Sequence, residues 1–373
     1  MRIAVAMSGG LDSTATALTL KRRGHEVLGL HMRLHSGSDR TWALAQKAAH
    51  EIRVPIQLVD LSKAFSDLVI DHFVAEYSKG RTPSPCPVCN RVIKTGLLFE
   101  QARKLGCGKL ATGHYARIME TADGLGLFRG ADVAKDQSYF LSMLRWDVLS
   151  RTLFPLGDTT KARVRDFLKS EGITVCNSEE SQELCFIPKG DYRGFLLKRG
   201  IEAKPGFIVN LQGTVLGRHK GIIGYTVGQR RGLGICAPEP LYVIRIDPVT
   251  HTVVAGTKEE TLLPVLRISR LSLLASSAPA VGDRFEVKIR STAKAMVCTV
   301  TCVQGDGLEL RFDKPQSGVA TGQAAVLYVG DRVMGGGWID TSARSDREPS
   351  AEDDMPRSAV RLCRSERRGM SSP

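Results

Sequence analysis

The chain has 373 residues, of which 24% are charged, with a formal net charge of +13 and nine cysteines. That length exceeds what one small core organises, so two or three domains with ample apolar burial are expected and no disulfide staples are needed. No apolar run is long enough to cross a bilayer and no cleavable signal precedes the first strand, so the expectation is a cytoplasmic protein with reduced thiols, neither membrane-spanning nor built on a disulfide framework. The charge excess lies in the body, because residues 341–373 carry seven Arg against six Asp and Glu. A basic body suits a polyanion such as RNA, and general solubility charge accounts for it equally well.

In chain order, Ile3 to Met7 reads as a buried parallel strand and Thr14 to Arg23 as a helix with start signals at Asp12-Ser13-Thr14. The turn between them, Ser8-Gly9-Gly10-Leu11-Asp12-Ser13, is a candidate phosphate seat. Its two glycines allow a tight turn and close approach of amide N–H groups, and the positive end of the helix favours an anion. No Gly-Lys-Ser/Thr follows and the G-x-G-x-x-G spacing is absent, which excludes the two commonest nucleotide loops. Asp12 suits a magnesium–phosphate unit, and equally a plain helix cap.

Val27 to His31 and Ile56 to Asp60 read as further strands, Thr41 to Ile52 as a helix, and Leu110 to Thr112 as a strand end followed by Gly113-His114-Tyr115. Such alternation predicts a parallel sheet covered by helices, with ligands at the carboxyl ends of its strands. Cys86-Pro87-Val88-Cys89-Asn90 follows the Pro-rich, helix-breaking Thr82-Pro83-Ser84-Pro85 and precedes a helix from Val92 to Lys104. A thiolate near that helix N-terminus is expected to have a lowered pKa, and C-x-x-C spacing also suits a metal or a redox pair. Cys185, in Ser181 to Pro188, reads on its own as a buried core cysteine. Cys107, Cys176, Cys236, Cys298, Cys302 and Cys363 have no partner at a telling spacing.

From about Lys204, glycine-rich turns separate short runs such as Gly206 to Val209, Leu241 to Ile246 and Phe285 to Arg290. These predict antiparallel strands in two small β-rich modules. The expected organisation is an α/β nucleotide-binding domain over residues 1–204, a β-rich central domain over 205–263, a barrel-like domain over 264–339, and a disordered tail over 340–373.

The turn resembles the S-G-G-x-D-S PP-loop of enzymes that cleave ATP between its α- and β-phosphates. With it, the blocks Gly80 to Asn90, Ala111 to Arg117, Lys135 to Leu141, Leu184 to Ile187 and Tyr225 to Gly234 resemble, in order and spacing, the bacterial tRNA-uridine 2-sulfurtransferases of the MnmA family. The resemblance runs from Met1 to about Asp340. It implies a PP-loop enzyme in which ATP with Mg²⁺ adenylates the 2-oxygen of the wobble uridine and cysteine-borne sulfur displaces AMP. By the same resemblance Ala6, Met7, Ser8, Gly9, Gly10, Leu11, Asp12, Ser13, Met32 and Gly113 would bind ATP. Cys89 would be the nucleophile and Cys185 the persulfide carrier, loaded by a sulfur-donor protein. Ser84, Pro85 and Cys86 would face the target base, and His114, Lys135, Asp136, Gln137, Arg290, Ser291 and Gln323 would contact tRNA. Taken singly, Lys135 could hold a phosphate, Gln137 a base edge and His114 only a strand end.

Three departures from the family pattern stand out. Position 86 is Cys where some relatives have Asp, so Cys86, Cys89 and Cys185 could together ligate a 4Fe-4S cluster. The persulfide relay is the preferred reading because it accounts for Cys89 and Cys185 without one. Ser84 replaces the usual Asn, and Arg33 to Arg40 is shorter than the family's acidic loop. Two other classes compete with a thiolase. One is a PP-loop adenylating enzyme that uses ammonia and needs no paired cysteines; the other is a non-catalytic RNA-binding protein on a decayed nucleotide fold.

Overall fold

A computed structural model describes residues 1–35, 38–174, 184–187 and 190–340. Cys176, Cys363, Ser181 to Glu183 and the expected tail lie outside the described residues. Strands β1 (Arg2–Ala6), β2 (Glu26–Arg33), β3 (Ile56–Asp60), β4 (Lys109–Ala111) and β7 (Thr152–Leu153) form a parallel sheet in the order β3-β2-β1-β4-β7. Alternation along β1 divides its side chains between two cores. Ile3 and Val5 join Leu18, Leu20 and Ala48 on one face, and Ala4 joins Phe65, Phe73, Ile93 and Leu98 on the other. Helices α1 (Leu11–Arg22), α2 (Ser38–Glu51) and α8 (Lys161–Ser170) supply the first layer. The second is built from α3 (Ser62–Phe65), α4 (Asp71–Ser78), α5 (Pro85–Cys89), α6 (Phe99–Lys104) and α9 (Tyr192–Lys198). π-Helical turns at Ser66–Ile70 and Asn90–Leu98 join α3 to α4 and α5 to α6.

The remaining strands of the first half, β5 (Ala116–Thr121) and β6 (Gly124–Arg129), form a hairpin that leaves this sheet. A four-stranded sheet follows in the order β10-β11-β8-β9, from β8 (Gly206–Val209), β9 (Val215–His219), β10 (Tyr242–Asp247) and β11 (Thr252–Gly256). Next come β12 (Leu263–Leu273), β13 (Arg284–Lys288), β14 (Met296–Gln304), β15 (Gly307–Gln316), β16 (Ala324–Val329) and β17 (Arg332–Ile339). They run β12-β15-β14-β13-β16-β17, and a further β12–β17 pairing closes them into a six-stranded barrel. Closure removes the exposed edges that such strands would otherwise present.

The hairpin joins this barrel, because Leu127 and Phe128 of β6 pair with Val333 and Arg332 of β17. Arg332 Nη2 clasps both oxygens of Asp123 at 2.9 Å, and that bond, with others from Thr121 and Ser276, holds the Asp123 carboxyl well below the usual range. Farther along, the short helix α7 (Ser138–Leu141) meets β16: the Tyr139 hydroxyl donates to the Ala324 carbonyl at 2.8 Å, and Ser138 Oγ lies 3.2 Å from Tyr328 Oη. The barrel is therefore built into the side of the α/β domain.

Gly157 sits where the α/β domain meets the base of the hairpin. A Cβ there would stand 2.1 Å from the Ala116 carbonyl oxygen, while the Gly157 carbonyl accepts from the Ala131 N–H at 2.8 Å. Gly157→Ala is expected to lower stability by about 1–3 kcal/mol, the usual range for an overpacked site. Urea unfolding of the full chain measures it, with an unchanged midpoint as the contrary result.

Candidate functional site

The PP-loop leaves the carboxyl end of β1. Gly9 has φ +82°, and a Cβ on it would lie 2.5 Å from the Ala45 backbone nitrogen of α2, so only glycine fits there. Gly10 is the N-cap of α1 and brings no side-chain cap, so the amides of the first turn are left for an anion. Ser13 Oγ braces the loop by accepting from the Ser8 N–H at 3.2 Å and donating to the Gly10 carbonyl at 3.0 Å. Asp12 is not the cap that the sequence allowed. Its Oδ2 accepts from Lys161 Nζ at 2.6 Å and its Oδ1 from the Tyr115 hydroxyl at 2.8 Å.

Neither Tyr115 nor Lys161 figured among the residues assigned from sequence. Tyr115 belongs to the segment Thr112 to Tyr115 that leaves β4, the neighbour of β1. Gly113 lies directly on the PP-loop: a Cβ there would be 2.9 Å from Asp12 Cβ and 3.1 Å from its carbonyl oxygen. The next residue turns away from the loop. His114 Nε2 lies 3.4 Å from Lys94 Nζ and its Nδ1 2.7 Å from Thr112 Oγ1. Burial first, and then the Lys94 charge, hold this imidazole well below its usual pKa, so the ring is neutral at physiological pH. A lysine can only donate, so Nε2 accepts and Nδ1–H donates to the Thr112 hydroxyl.

Lys94 connects this segment to the cysteines. Pro85 occupies the first turn of α5, where a missing N–H costs nothing, and Pro87 shares that turn. The helix therefore starts at Pro85, not at Val92, and continues through the π-helical Asn90–Leu98 into α6. Burial, and not the position in the helix, overturns the expected drop in thiol pKa. Cys89 is buried inside a long helical run, and burial pushes its thiol up to about 12. Burial also raises the half-buried Cys86, and the surrounding protein raises Cys185, although that residue is exposed and not the core cysteine that its flanks suggested. At all three thiols the cation that opposes burial is Lys94, and both Cys86 and Cys89 also feel Cys185. Among the described residues no group of three His, Cys, Asp or Glu is placed to hold a metal ion.

The residues assigned to tRNA fall in three places. Gln137 clamps the Tyr115 backbone, accepting its N–H at 3.1 Å on Oε1 and donating its own N–H to the Tyr115 carbonyl at 2.9 Å. Asp136 accepts from the Gly130 and Ser138 N–H groups and from the Ser138 hydroxyl, and Lys135 is half-buried beside it. Gln323 donates from Nε2 to the Thr82 carbonyl at 2.8 Å, so it ties the barrel to the strand of chain that leads into Ser84, Pro85 and Cys86. Arg290 is elsewhere: its Nη2 donates to the Val227 carbonyl at 2.7 Å and lines a cavity of ≈440 Å³ with Lys258, Lys294 and Gln316, with the half-buried Ser291 next in the chain. Ala6 ends β1 and Met32 precedes the last residue of β2, both partly buried at the sheet's carboxyl edge.

Residues 1–189 match the family described as tRNA methyl transferase HUP domain, 194–257 the tRNA methyl transferase PRC-barrel domain, and 264–339 the aminomethyltransferase beta-barrel domain. The chain is 46% identical over 358 residues to the tRNA-specific 2-thiouridylase MnmA of Geobacter metallireducens, covering 91% of this chain and 97% of that one. It is 45% identical over 350 residues to the tRNA-specific 2-thiouridylase MnmA of Syntrophotalea carbinolica, covering 90% and 98%. The protein of the same name from Trichlorobacter lovleyi is 43% identical over 352 residues, at 93% and 99% coverage.

A thiol pushed up to about 12 is almost wholly protonated at neutral pH. Iodoacetamide labelling of Cys89, followed by peptide mass spectrometry, should therefore accelerate about tenfold per pH unit from about pH 7 to about pH 10 without a plateau. A plateau near neutrality would mean an activated thiolate instead.

Proposed function

The chain belongs to the tRNA-specific 2-thiouridylase family and is a sulfurtransferase acting on tRNA uridine, and we propose that it works by ATP-dependent adenylation of the wobble uridine followed by cysteine-borne sulfur transfer. The observation that carries this reading is the segment Thr112 to Tyr115. Gly113 and Tyr115 touch Asp12 of the PP-loop, while His114 holds the lysine that acts on the three thiols. Activation and sulfur delivery thus meet at one strand end, as a two-step reaction on one base requires.

A uridine C2 carbonyl is a poor electrophile, and adenylation gives its oxygen a leaving group. That oxygen attacks the α-phosphorus of ATP, pyrophosphate departs into the PP-loop, and the uncapped amides of α1 stabilise its charge. Magnesium enters with the nucleotide, and Asp12 is the loop carboxylate that can meet it. The outer sulfur of a Cys185 persulfide then attacks C2 and AMP leaves. Breaking the S–S bond takes two electrons, which the Cys89 sulfur supplies as it joins Cys185 in a disulfide. The exposure of Cys185 supports its loading by a donor protein, which could not reach the buried Cys89. For tRNA, the Arg290 cavity with Lys258 and Lys294 offers cations to the phosphate backbone.

Pyrophosphate release and 2-thiouridine formation, measured with tRNA, ATP and a persulfide donor on anaerobically purified protein, test the reading. Asp12→Asn should lose both signals. Cys185→Ser should release pyrophosphate without forming 2-thiouridine, and full thiolation by that variant would overturn the persulfide assignment. Thiolation independent of iron and unaffected by Cys86→Ser is expected; activity that tracks iron and fails in Cys86→Ser would make the thiols cluster ligands. An amidotransferase-type enzyme would turn over unchanged in Cys89→Ser, and a binding protein would release no pyrophosphate.

Truncation cannot test the barrel's part in tRNA binding, because the barrel holds the hairpin and the Thr82 segment. Lys258→Gln and Lys294→Gln should each weaken tRNA binding and reduce the slope of log affinity against log salt by about 1. An unchanged slope in both would remove this surface from the tRNA contact.

A further inference from the structure

Among the described residues, two buried side-chain atoms have no hydrogen-bond partner, Asn90 Oδ1 and Arg332 Nε. Arg332 is anchored through Nη2 on both oxygens of Asp123. Asn90 differs, because it follows Cys89 directly and is only 3% exposed. Its Nδ2 donates to the Phe140 carbonyl at 2.9 Å, and that bond fixes which way the amide faces, since a carbonyl can only accept. Phe140 belongs to α7, which Tyr139 pins to Ala324 of the barrel, so the support under the amide is rigid. A buried amide oxygen with no partner has given up its hydration without a bond in return, and such atoms are uncommon in folded proteins. One kept unpaired beside a proposed nucleophile points to a partner that arrives with the substrate.

The helix says where that partner stands. The Asn90 N–H bonds the Cys86 carbonyl one turn back, so the side chains of Cys86 and Asn90 share a side of the helical run. Ser84, Pro85 and Cys86 are the residues that the family resemblance turns toward the target base. A uracil ring carries one hydrogen-bond donor, N3–H, and it adjoins the C2 carbonyl that reacts; a cytosine ring presents a bare N3 acceptor at the same place. We propose that Asn90 Oδ1 accepts the N3–H of the target uridine and so selects uridine over cytidine, with Phe140 holding the amide in the orientation that does so. The inference rests on the thiolation reading above and adds to it the residue that reads the base. Because the oxygen is closed to solvent, a flipped base must part the contacts over it on entry, and water does not compete for the bond once it has formed.

Competition binding of two tRNA transcripts to the full chain, differing only in uridine or cytidine at the wobble position and with ATP omitted, tests this without turnover. The unaltered chain should prefer uridine about 10- to 100-fold, the range for one base-edge contact. Asn90→Leu should bring that ratio close to 1 by weakening the uridine transcript alone. Asn90→Ala carries the same expectation should the Leu variant fail to fold. An equal loss for both transcripts would overturn the proposal, because a residue that only ties the helix to Phe140 affects them alike. A preference that survives both substitutions, or an unaltered chain that shows none or favours cytidine, would overturn it as well. Pyrophosphate release by the unaltered chain on the uridine transcript, with ATP added, reports the adenylation reading by itself: no release with a uridine preference that depends on Asn90 would overturn that reading and leave this one standing.

Discussion

The close approach of Gly113 to the backbone of Asp12 is the constraint on which the rest of the site depends. In the sheet order β3-β2-β1-β4-β7, the chain leaves β1 toward one edge and reaches β4 on the other side. A crevice therefore opens between the carboxyl ends of β1 and β4, where ligands of open α/β sheets bind. Any side chain at position 113 would collide with Asp12 within about 3 Å and lift the segment off the PP-loop. With glycine there, the next two residues diverge: Tyr115 reaches Asp12, and His114 reaches Lys94. The clamp of Gln137 on Tyr115 and the bond of Gln323 to Thr82 then fix the two sides of the crevice from outside it.

Two lysines divide the electrostatic work of this crevice. Lys161 answers to a carboxylate and stands by the PP-loop; Lys94 answers to a neutral imidazole and stands by the thiols. The difference in partner matters. An imidazole kept neutral orients the ammonium through a hydrogen bond and leaves its charge uncancelled, so the field of Lys94 falls undivided on the three thiols. A carboxylate partner does the reverse: Asp12 cancels much of the charge of Lys161.

The parts of this arrangement that sequence made legible are those fixed by local rules. The PP-loop declares itself through glycines placed between an apolar strand and a helix, and the alternating first half predicts its parallel sheet because burial on both faces leaves continuous apolar runs. What stayed hidden is non-local. Lys161 meets Asp12 across 149 positions, and nothing in the short run Thr159-Thr160-Lys161 separates it from a surface lysine. The hairpin β5–β6 lies in the first half of the chain yet pairs with β17 of the barrel, a partnership no turn or period encodes. The Pro-rich segment before Cys86 was misleading for a different reason, since prolines break helices in their interiors but begin them well. The thiol pKa was hidden for a non-local reason, because burial by segments distant in sequence outweighs the helix start at Cys86 and Cys89.

A cysteine and not a carboxylate at position 86 takes its meaning from this geometry. A carboxylate within the field of Lys94 would pair with it and cancel much of the charge that opposes burial at Cys89 and Cys185. Cys86, with its thiol pushed above the ordinary range by burial, is neutral at physiological pH and makes no such claim. The ammonium is then free to act on whichever sulfur carries negative charge, and a persulfide is more acidic than a thiol. Burial keeps Cys86 and Cys89 uncharged against the pull of Lys94, and under the proposed relay an anionic persulfide at the exposed Cys185 would meet that cation.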